Sequence, residues 1–364
     1  MPQSAFSTLN LFNIGKHPGE PRKSQDAVSA NESLGLYAIA DGVSRSFFPD
    51  IWSRLIVHHF CEAGHETLDR LFEANDIASW LSPLQEYWRQ IVAEEIEISG
   101  RPELRNRLLK RDSAATTFVG VQIYPYQDIG TWRSIIVGDS ILMHIRNNQL
   151  LESHIKNHPS QFNSFPDAIK SYPGDQFDRV RIVVGEWEQG DEFILATDAI
   201  GHWMLTQNAQ GWRAWEKSLR MFREMNSLAE FHRFVTRQRE DGRNPLEVDD
   251  TAMIYISSGY KQVRKARRQL LPAKVLVRET TAQPSQGTAW PRFLARLRRK
   301  EATIWESYFD EDPSPATIMA SGEGQSSFDQ SKGAPKVSRR LPAWASIVLL
   351  LLAVAALVAL LYQF

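Results

Sequence analysis

Five places in the sequence put an aspartate at the boundary of a short apolar segment. They are Asp26, Asp41 after "LYAIA", Asp139 after "SIIVG", Asp198 after "EFILAT", and the pair Asp249 and Asp250 ahead of "TAMIYI". One such aspartate is ordinary turn chemistry, because Asp and Gly both favour turns. Several carboxylates gathered at one end of a sheet would repel each other unless cations lay between them. Since all-oxygen ligand sets suit Mg²⁺ and Mn²⁺, the pattern indicates a divalent-metal site wherever these segment ends converge.

The elements that must position these acids follow from the apolar patterning. Short segments rich in Val, Ile, Thr and aromatic residues predict strands at 34–40, 115–124, 132–138, 141–146, 180–186, 192–197 and 251–257. Longer amphipathic segments predict helices at 51–72, 76–98, 102–110, 198–206 and 213–238. Consecutive strands joined by short turns favour antiparallel sheets, and helices must then cover the outer sheet faces. Residues 1–258 are therefore predicted to form an α+β fold, a four-layer αββα sandwich.

Composition limits the class of protein. The chain has 364 residues and a formal net charge of −1, which gives no reason to expect nucleic acid as a partner. Its single cysteine, Cys61, excludes an intramolecular disulfide and fits a reducing compartment, where we expect the thiol to fill a packing position.

The C-terminal region has the pattern of a membrane anchor. Residues 342–362 carry no charged side chain, and about 20 apolar residues suffice to cross the hydrocarbon layer of a bilayer. Trp344 and Tyr362 lie near the two ends, where amphipathic rings favour the interface, and lysines and arginines precede the segment. We therefore expect a single-pass C-terminal transmembrane helix, with lipid as a partner and the preceding chain in the cytoplasm. A buried core helix is the alternative, although soluble helices are rarely apolar on every face.

Two segments separate residue 258 from this anchor. Residues 261–300 contain twelve Lys or Arg and one acid, Glu279. The segment 259–300 is either a solvated basic linker or an amphipathic juxtamembrane segment on an anionic membrane surface. Residues 301–341 are predicted to be a disordered linker, because residues 310–340 are rich in Asp, Ser, Gly and Pro.

Six short motifs, taken in order, carry a family resemblance. They are "SQDA" (24–27), "IADGVS" (39–44), "DSAATTFVGVQI" (112–123), "IIVGDSILMHI" (135–145), "FILATDAIGHWM" (193–204) and "VDDTAMIYI" (248–256). This series resembles that of the protein phosphatase 2C family of metal-dependent Ser/Thr phosphatases, in particular its divergent bacterial members. The resemblance implies a catalytic domain at 1–258 that hydrolyses phosphoserine and phosphothreonine in proteins by a metal-bridging hydroxide, without a phosphoenzyme.

The resemblance also implies a set of metal ligands for two Mg²⁺ or Mn²⁺ ions. Asp41 would bridge both ions, and the carbonyl of Gly42 would bind one of them. Asp198 would bind the first ion, and that site would be completed by Asp249, or by Asp250 if the alignment shifts by one residue.

Other positions correspond to supporting roles in the family. Asp139 matches a residue that helps to hold a third, weaker ion in bacterial relatives, and Asp26 matches an acid that acts through water. Arg22 is the candidate for the arginine that binds phosphate. Segment 153–180 falls where many relatives carry a flap over the site, so we expect it to influence substrate choice.

Two residues depart from the family pattern. Gln25 stands where a Glu is common, and Ala199 replaces the glycine of the "TDG" motif. These departures leave open a second hypothesis, that of a phosphatase-like membrane scaffold that binds phosphoprotein or metal without turnover. For an active phosphatase, the expected partners are a phosphorylated protein and an opposing Ser/Thr protein kinase.

Overall fold

The computed structural model describes residues 8–16, 24–73, 76–124, 129–154, 156–162, 166–173, 180–258 and 278–279. Arg22, the linker 301–341, the predicted anchor 342–362 and all but two residues of 259–300 lie outside these ranges. Within the described residues, no helix combines the length and the apolar character needed to span a bilayer.

Thirteen strands and seven helices are described in this part of the chain. The strands are β1 Thr8–Ile14, β2 Ala27–Asn31, β3 Leu36–Ala40, β4 Ala115–Thr116, β5 Phe118–Ile123, β6 Ile129–Val137, β7 Ile141–Arg146, β8 Gln149–His154, β9 Ile169–Lys170, β10 Arg181–Glu188, β11 Glu192–Ala196, β12 Thr251–Ser257 and β13 Arg278–Glu279. The helices are α1 Pro49–Cys61, α2 His65–Glu73, α3 Ile77–Ser99, α4 Pro102–Leu109, α5 Asp198–Ala209, α6 Trp212–Glu224 and α7 Leu228–Arg239.

Two antiparallel sheets form the centre of the fold. One has the strand order β1-β12-β11-β7-β8, and the other has the order β13-β10-β6-β5-β3-β2. Apolar side chains from both sheets, including Ile39, Trp132, Leu142, Phe193 and Ile254, form a buried core cluster. The predicted pair of antiparallel sheets is confirmed.

Helices cover the outer faces of both sheets. Helix α1 contacts β2 and β3 of the six-stranded sheet. On the five-stranded sheet, a second cluster joins strand residues such as Ile194 and Met253 to Trp203, Phe222 and Phe234 of the helices. The mixed α+β architecture with helices flanking the sheets therefore matches the expectation from sequence.

The structure corrects two helix predictions and adds strands. The predicted helix 51–72 is two helices, since α1 ends at Cys61 and α2 begins at His65. The predicted helix 213–238 is also two helices, since α6 ends at Glu224 and α7 begins at Leu228. The Ser227 side chain caps α7 by accepting a hydrogen bond from the Glu230 N–H at 3.3 Å. Strands β1, β2, β8, β9 and β13 were not predicted. Of these, β1, β2 and β8 each lie at an edge of a central sheet, where polar residues interrupt the apolar pattern.

Candidate active site

The strand topology brings the predicted acids to one end of the sandwich. Asp26 immediately precedes β2, and Asp41 immediately follows β3, its antiparallel neighbour. Asp139 lies in the turn from β6 to β7, and Asp198 begins α5 directly after β11. The pair Asp249 and Asp250 immediately precedes β12, which pairs antiparallel with β11.

The backbone of Asp41 is held by two threonines of the "ATT" sequence. The Thr116 hydroxyl donates to the Asp41 carbonyl at 2.7 Å, and the Thr117 N–H donates to the same carbonyl at 2.9 Å. The Asp41 N–H in turn donates to the Thr117 hydroxyl oxygen at 3.2 Å. These contacts fix the chain where β3 ends, so the carboxyl group leaves the sheet in a defined direction.

Asp139 is tied to the same region through its neighbours. The hydroxyls of Thr117 and Ser140 are 2.6 Å apart, which joins the Asp41 and Asp139 segments. Gly138 has φ +89°, and a Cβ there would lie 2.4 Å from the Asp167 carbonyl oxygen. Only glycine tolerates both the left-handed conformation and this close approach, so it sets the turn that presents Asp139.

Gln25 joins three distant parts of the chain through its backbone. Its carbonyl accepts from the Gly42 N–H at 3.2 Å and from the Ser53 hydroxyl at 2.6 Å. Its N–H donates to the Asp250 carboxylate at 2.6 Å. A Cβ on Gly42 would lie 2.7 Å from the Gln25 carbonyl oxygen, so this approach requires glycine.

Asp249 and Asp250 have different environments. The Asp250 side chain is 4% exposed, and its two carboxylate oxygens accept from the Gln25 N–H and, at 2.7 Å, from the Lys16 N–H. The Asp249 side chain is 48% exposed and contacts the Lys16 ammonium at 3.3 Å. Asp250 therefore accepts a backbone N–H at each carboxylate oxygen, whereas Asp249 accepts one backbone N–H, that of Asp250 at 2.9 Å, and its carboxylate stays accessible.

Asp198 starts a helix whose first turn is buried. The Ala199 N–H donates to the Asp198 carboxylate at 2.6 Å, and the helix N-terminus favours a negative charge at this position. Ala199 itself is fully buried in the core cluster under the five-stranded sheet. The fold therefore accommodates alanine at the position where the family motif has glycine.

Mutual repulsion and burial perturb the pKa values of these acids. Burial, followed by the charge of Asp139, raises the pKa of Asp41 to about 7. Burial, followed by the charges of Asp41 and Asp139, raises the pKa of Asp198 to about 8. Burial together with Asp41, Asp250 and Asp198 raises the pKa of Asp26 well above its usual range. The charges that raise the pKa values of Asp26, Asp41 and Asp198 come from one another and from Asp139, Asp249 and Asp250. The five chain segments that carry these acids therefore lie close enough to interact, and we call the region that they share the acid pocket.

Comparison with protein families decides the assignment. The family model described as protein phosphatase 2C matches residues 16–236, more than half of the 364-residue chain. The chain belongs to the protein phosphatase 2C family. This membership makes it a protein-serine/threonine phosphatase, as the ordered motifs predicted. Among curated proteins, none matches the sequence significantly.

Solved structures of phosphatases resemble this one at low sequence identity. The structure described as PppA, a key regulatory component of the T6SS in Pseudomonas aeruginosa, is 16% identical, covers 69% of this chain and 98% of its own, and has a TM-score of 0.40. The Mycobacterium tuberculosis serine/threonine phosphatase PstP/Ppp is 15% identical, with coverages of 69% and 97% and a TM-score of 0.39. Stp1 from Staphylococcus aureus is 13% identical, with coverages of 68% and 94% and a TM-score of 0.42.

The acids of this phosphatase have the donor chemistry that a hard divalent cation requires. Both carboxylate oxygens of Asp26 and Oδ1 of Asp139 are buried and form no well-aligned hydrogen bond in the part of the chain that the structure describes. The nearby Thr197 hydroxyl lowers the pKa of Asp26. Buried carboxylates without donors are costly unless a cation neutralises them. Within the ranges described, no three His, Cys, Asp or Glu side chains already converge on a single point as a metal cage. The residues therefore fit divalent cations by type and burial.

Three cationic side chains border this pocket in the described residues. Lys16 pairs with Asp249, and Arg239 donates to the Asp249 carbonyl and, at 3.1 Å, to the Thr251 hydroxyl oxygen. The charge of Lys156 lowers the pKa of Asp139, which burial raises to about 6. None of the three was singled out from sequence, because an isolated lysine or arginine carries no local signal. Arg22, the predicted phosphate ligand, falls outside the described residues.

Proposed function

We propose that this chain hydrolyses phosphoserine and phosphothreonine in proteins with the help of Mg²⁺ or Mn²⁺ ions. The observation that carries the proposal is the group of aspartates that the strand ends place at one end of the sandwich, where Asp26 and Asp139 are buried and Asp41 and Asp198 are half-buried. Such a group is costly in the charged form, and divalent cations are the natural counterions for it.

The residues that would hold two ions are those of the family motifs. Asp41 would bridge the ions, with the Gly42 carbonyl, Asp198 and Asp249 completing the ligand set. Asp249 is favoured over Asp250 because both carboxylate oxygens of Asp250 already accept backbone N–H groups. Asp139 would support a third ion, and Asp26 would act through water. When bound, such ions acidify a water molecule for attack on phosphorus and neutralise phosphoryl oxygens.

The protein's own groups supply position rather than a covalent nucleophile. The only thiol, Cys61, is buried, contacts the Leu36 carbonyl at 3.8 Å, and burial raises its pKa to about 12. A thiolate is the reactive form of cysteine, so a phosphocysteine route is not available here. Phosphoryl transfer needs mainly alignment and positive charge, which the acid pocket and its cations are suited to provide.

Hydrolysis assays on the full chain test this proposal. We expect p-nitrophenyl phosphate and a phosphothreonine peptide to be hydrolysed with Mn²⁺, and activity to be lost with EDTA. Asp41→Ala should lower kcat at least about 100-fold, because it removes the bridging ligand. Phosphopeptide binding without turnover would instead favour the scaffold hypothesis, and activity that persists in EDTA would contradict metal dependence.

A second proposal is that the phosphatase is tethered to the cytoplasmic face of a membrane and opposes a Ser/Thr protein kinase. Its support is the uncharged sequence of residues 342–362 with basic residues before it. Deleting residues 341–364 should move the protein from the membrane pellet to the soluble fraction with catalysis intact. A truncated protein that stays in the pellet would point to segment 259–300 as the anchor.

A further inference from the structure

The hairpin of β7 and β8 returns the chain to the acid pocket. Strand β7 begins two residues after Asp139, and in the antiparallel register Leu142 lies opposite His154, at the end of β8. The chain that leaves β8 therefore emerges at the end of the hairpin where Asp139 lies. Lys156 comes two residues after His154 in this direction.

The segment that contains Lys156 is fixed against helix α5. The Lys156 ammonium donates to the Gln161 carbonyl at 2.5 Å and lies 5.6 Å from the centre of the Phe162 ring. That ring packs edge-on against His202 with centroids 5.4 Å apart. His202 lies one turn after Asp198, the first residue of α5. Lys156 thus belongs to a segment that packs, through Phe162, on the helix that begins with Asp198.

Lys156 differs from the other two cations in the partner that its charged group contacts: the Gln161 carbonyl, whereas Lys16 pairs with the Asp249 carboxylate. The Lys16 ammonium is occupied by the Asp249 carboxylate, and the guanidinium of Arg239 binds the Asp249 carbonyl and Thr251. An ammonium group has three donors, and one carbonyl contact accounts for one of them. Across the residues that the structure describes, no carboxylate lies within ion-pair distance of Lys156.

We propose that Lys156 binds a phosphoryl oxygen of the substrate, and of the phosphate product, at the Asp139 side of the pocket. The inference rests on the proposed phosphatase function and assigns a substrate-positioning residue to it. Charge-assisted hydrogen bonds to phosphate are strong, and a fixed ammonium beside the acids offsets their repulsion of the incoming dianion. Lys156 takes no part in bond making, and its contribution is orientation and charge.

Substitution of Lys156 in the full chain tests the inference. With Mn²⁺ present, Lys156→Gln should raise both KM for p-nitrophenyl phosphate and the inhibition constant for inorganic phosphate by about tenfold, the effect of about 1.4 kcal/mol. Lys156→Arg should stay within about threefold of the original protein, because a guanidinium also donates to phosphate. Lys217→Gln is the matched control, since Lys217 is an exposed lysine on α6.

Two further readouts separate phosphate binding from a structural role. The melting temperature and the Mn²⁺ concentration for half-maximal activity should not change in Lys156→Gln. Unchanged phosphate inhibition would overturn the inference while leaving the phosphatase function of the parent protein intact. A rise in KM that accompanies an equal loss of Mn²⁺ affinity or of thermal stability would also overturn it. An inactive parent protein would refute the proposed function itself.

Discussion

The backbone N–H of Gln25 donates to the carboxylate of Asp250 at 2.6 Å, across 225 positions of sequence. The other oxygen of the same carboxylate accepts from the Lys16 N–H at 2.7 Å. Asp250 therefore connects the segment after β1, the segment before β2 and the start of β12. One buried side chain holds together the backbone on which Asp26, Asp41 and Asp249 are placed.

This arrangement predicts opposite effects for neighbouring aspartates. Asp250→Asn places an NH₂ group against a backbone N–H, so we expect the free energy of unfolding to fall by about 2 kcal/mol. Asp249→Asn changes a half-exposed side chain and should cost less than about 1 kcal/mol. Asp249 is a proposed metal ligand, however, so Asp249→Asn should raise the Mn²⁺ concentration for half-maximal activity at least about tenfold. Urea unfolding and Mn²⁺ titration of both variants measure these effects, and a reversed order would assign the ligand to Asp250.

Gly42 is predicted to be intolerant of any side chain. In Gly42→Ala, the new Cβ would approach the Gln25 carbonyl oxygen to 2.7 Å and the Pro49 side chain to 3.0 Å, and both are rigid. We expect a loss of about 1–3 kcal/mol of stability and most of the activity. Gly242→Ala provides the control, because nothing lies within 4 Å of a Cβ there. Equal melting temperatures for the two alanine variants would contradict the close approach at Gly42.

The acid pocket predicts the pH dependence of stability in the metal-free protein. The folded-state pKa values of Asp41, about 7, and Asp198, about 8, exceed the unfolded value of about 3.9. Because the folded state binds these protons more tightly, their contribution is most favourable below about pH 4 and declines until about pH 8. In EDTA, Asp198→Asn should therefore gain stability relative to the parent protein as the pH rises from 5 to 8.

Thermal melts at several pH values test whether Asp198→Asn gains stability relative to the parent protein as the pH rises. Saturating Mn²⁺ should restore stability at pH 8 in the parent protein and less so in Asp198→Asn, because the variant lacks one proposed ligand. Glu224→Gln is the charge-matched control, since Glu224 is exposed on α6. If the melting temperature changed with pH in the same way in the parent protein and in Asp198→Asn, the pocket acids would not interact as described.

Arg239 is predicted to position Asp249 without touching the substrate. Its guanidinium binds the Asp249 carbonyl and the Thr251 hydroxyl oxygen, and the Thr251 hydroxyl donates to that same carbonyl at 3.0 Å. Arg239→Gln should raise the Mn²⁺ requirement several-fold, whereas Arg239→Lys should recover part of the loss. KM measured at saturating Mn²⁺ should stay constant in both variants. A change in KM alone would contradict a positioning role.

The position of the acids at strand ends could be predicted from the sequence better than the contacts that surround them. Asp41, Asp139 and Asp198 could be found because each adjoins a continuous apolar strand, and buried strands have the clearest patterns. Edge strand β1 was missed because asparagines interrupt "TLNLFNI", and this strand pairs with β12 over its whole length. The contacts of Asp250 and Thr117 join distant parts of the chain, and no local pattern encodes them.

The pairing of β1 with β12 has a consequence for how the enzyme is made. Strand β12 ends at Ser257, and the acids that surround the pocket come from positions 26 to 250. A ribosome delivers these residues in order, so a growing chain carries Asp26 and Asp41 long before their counterparts exist. The pairing of β1 with β12 therefore cannot be complete before translation has passed residue 257.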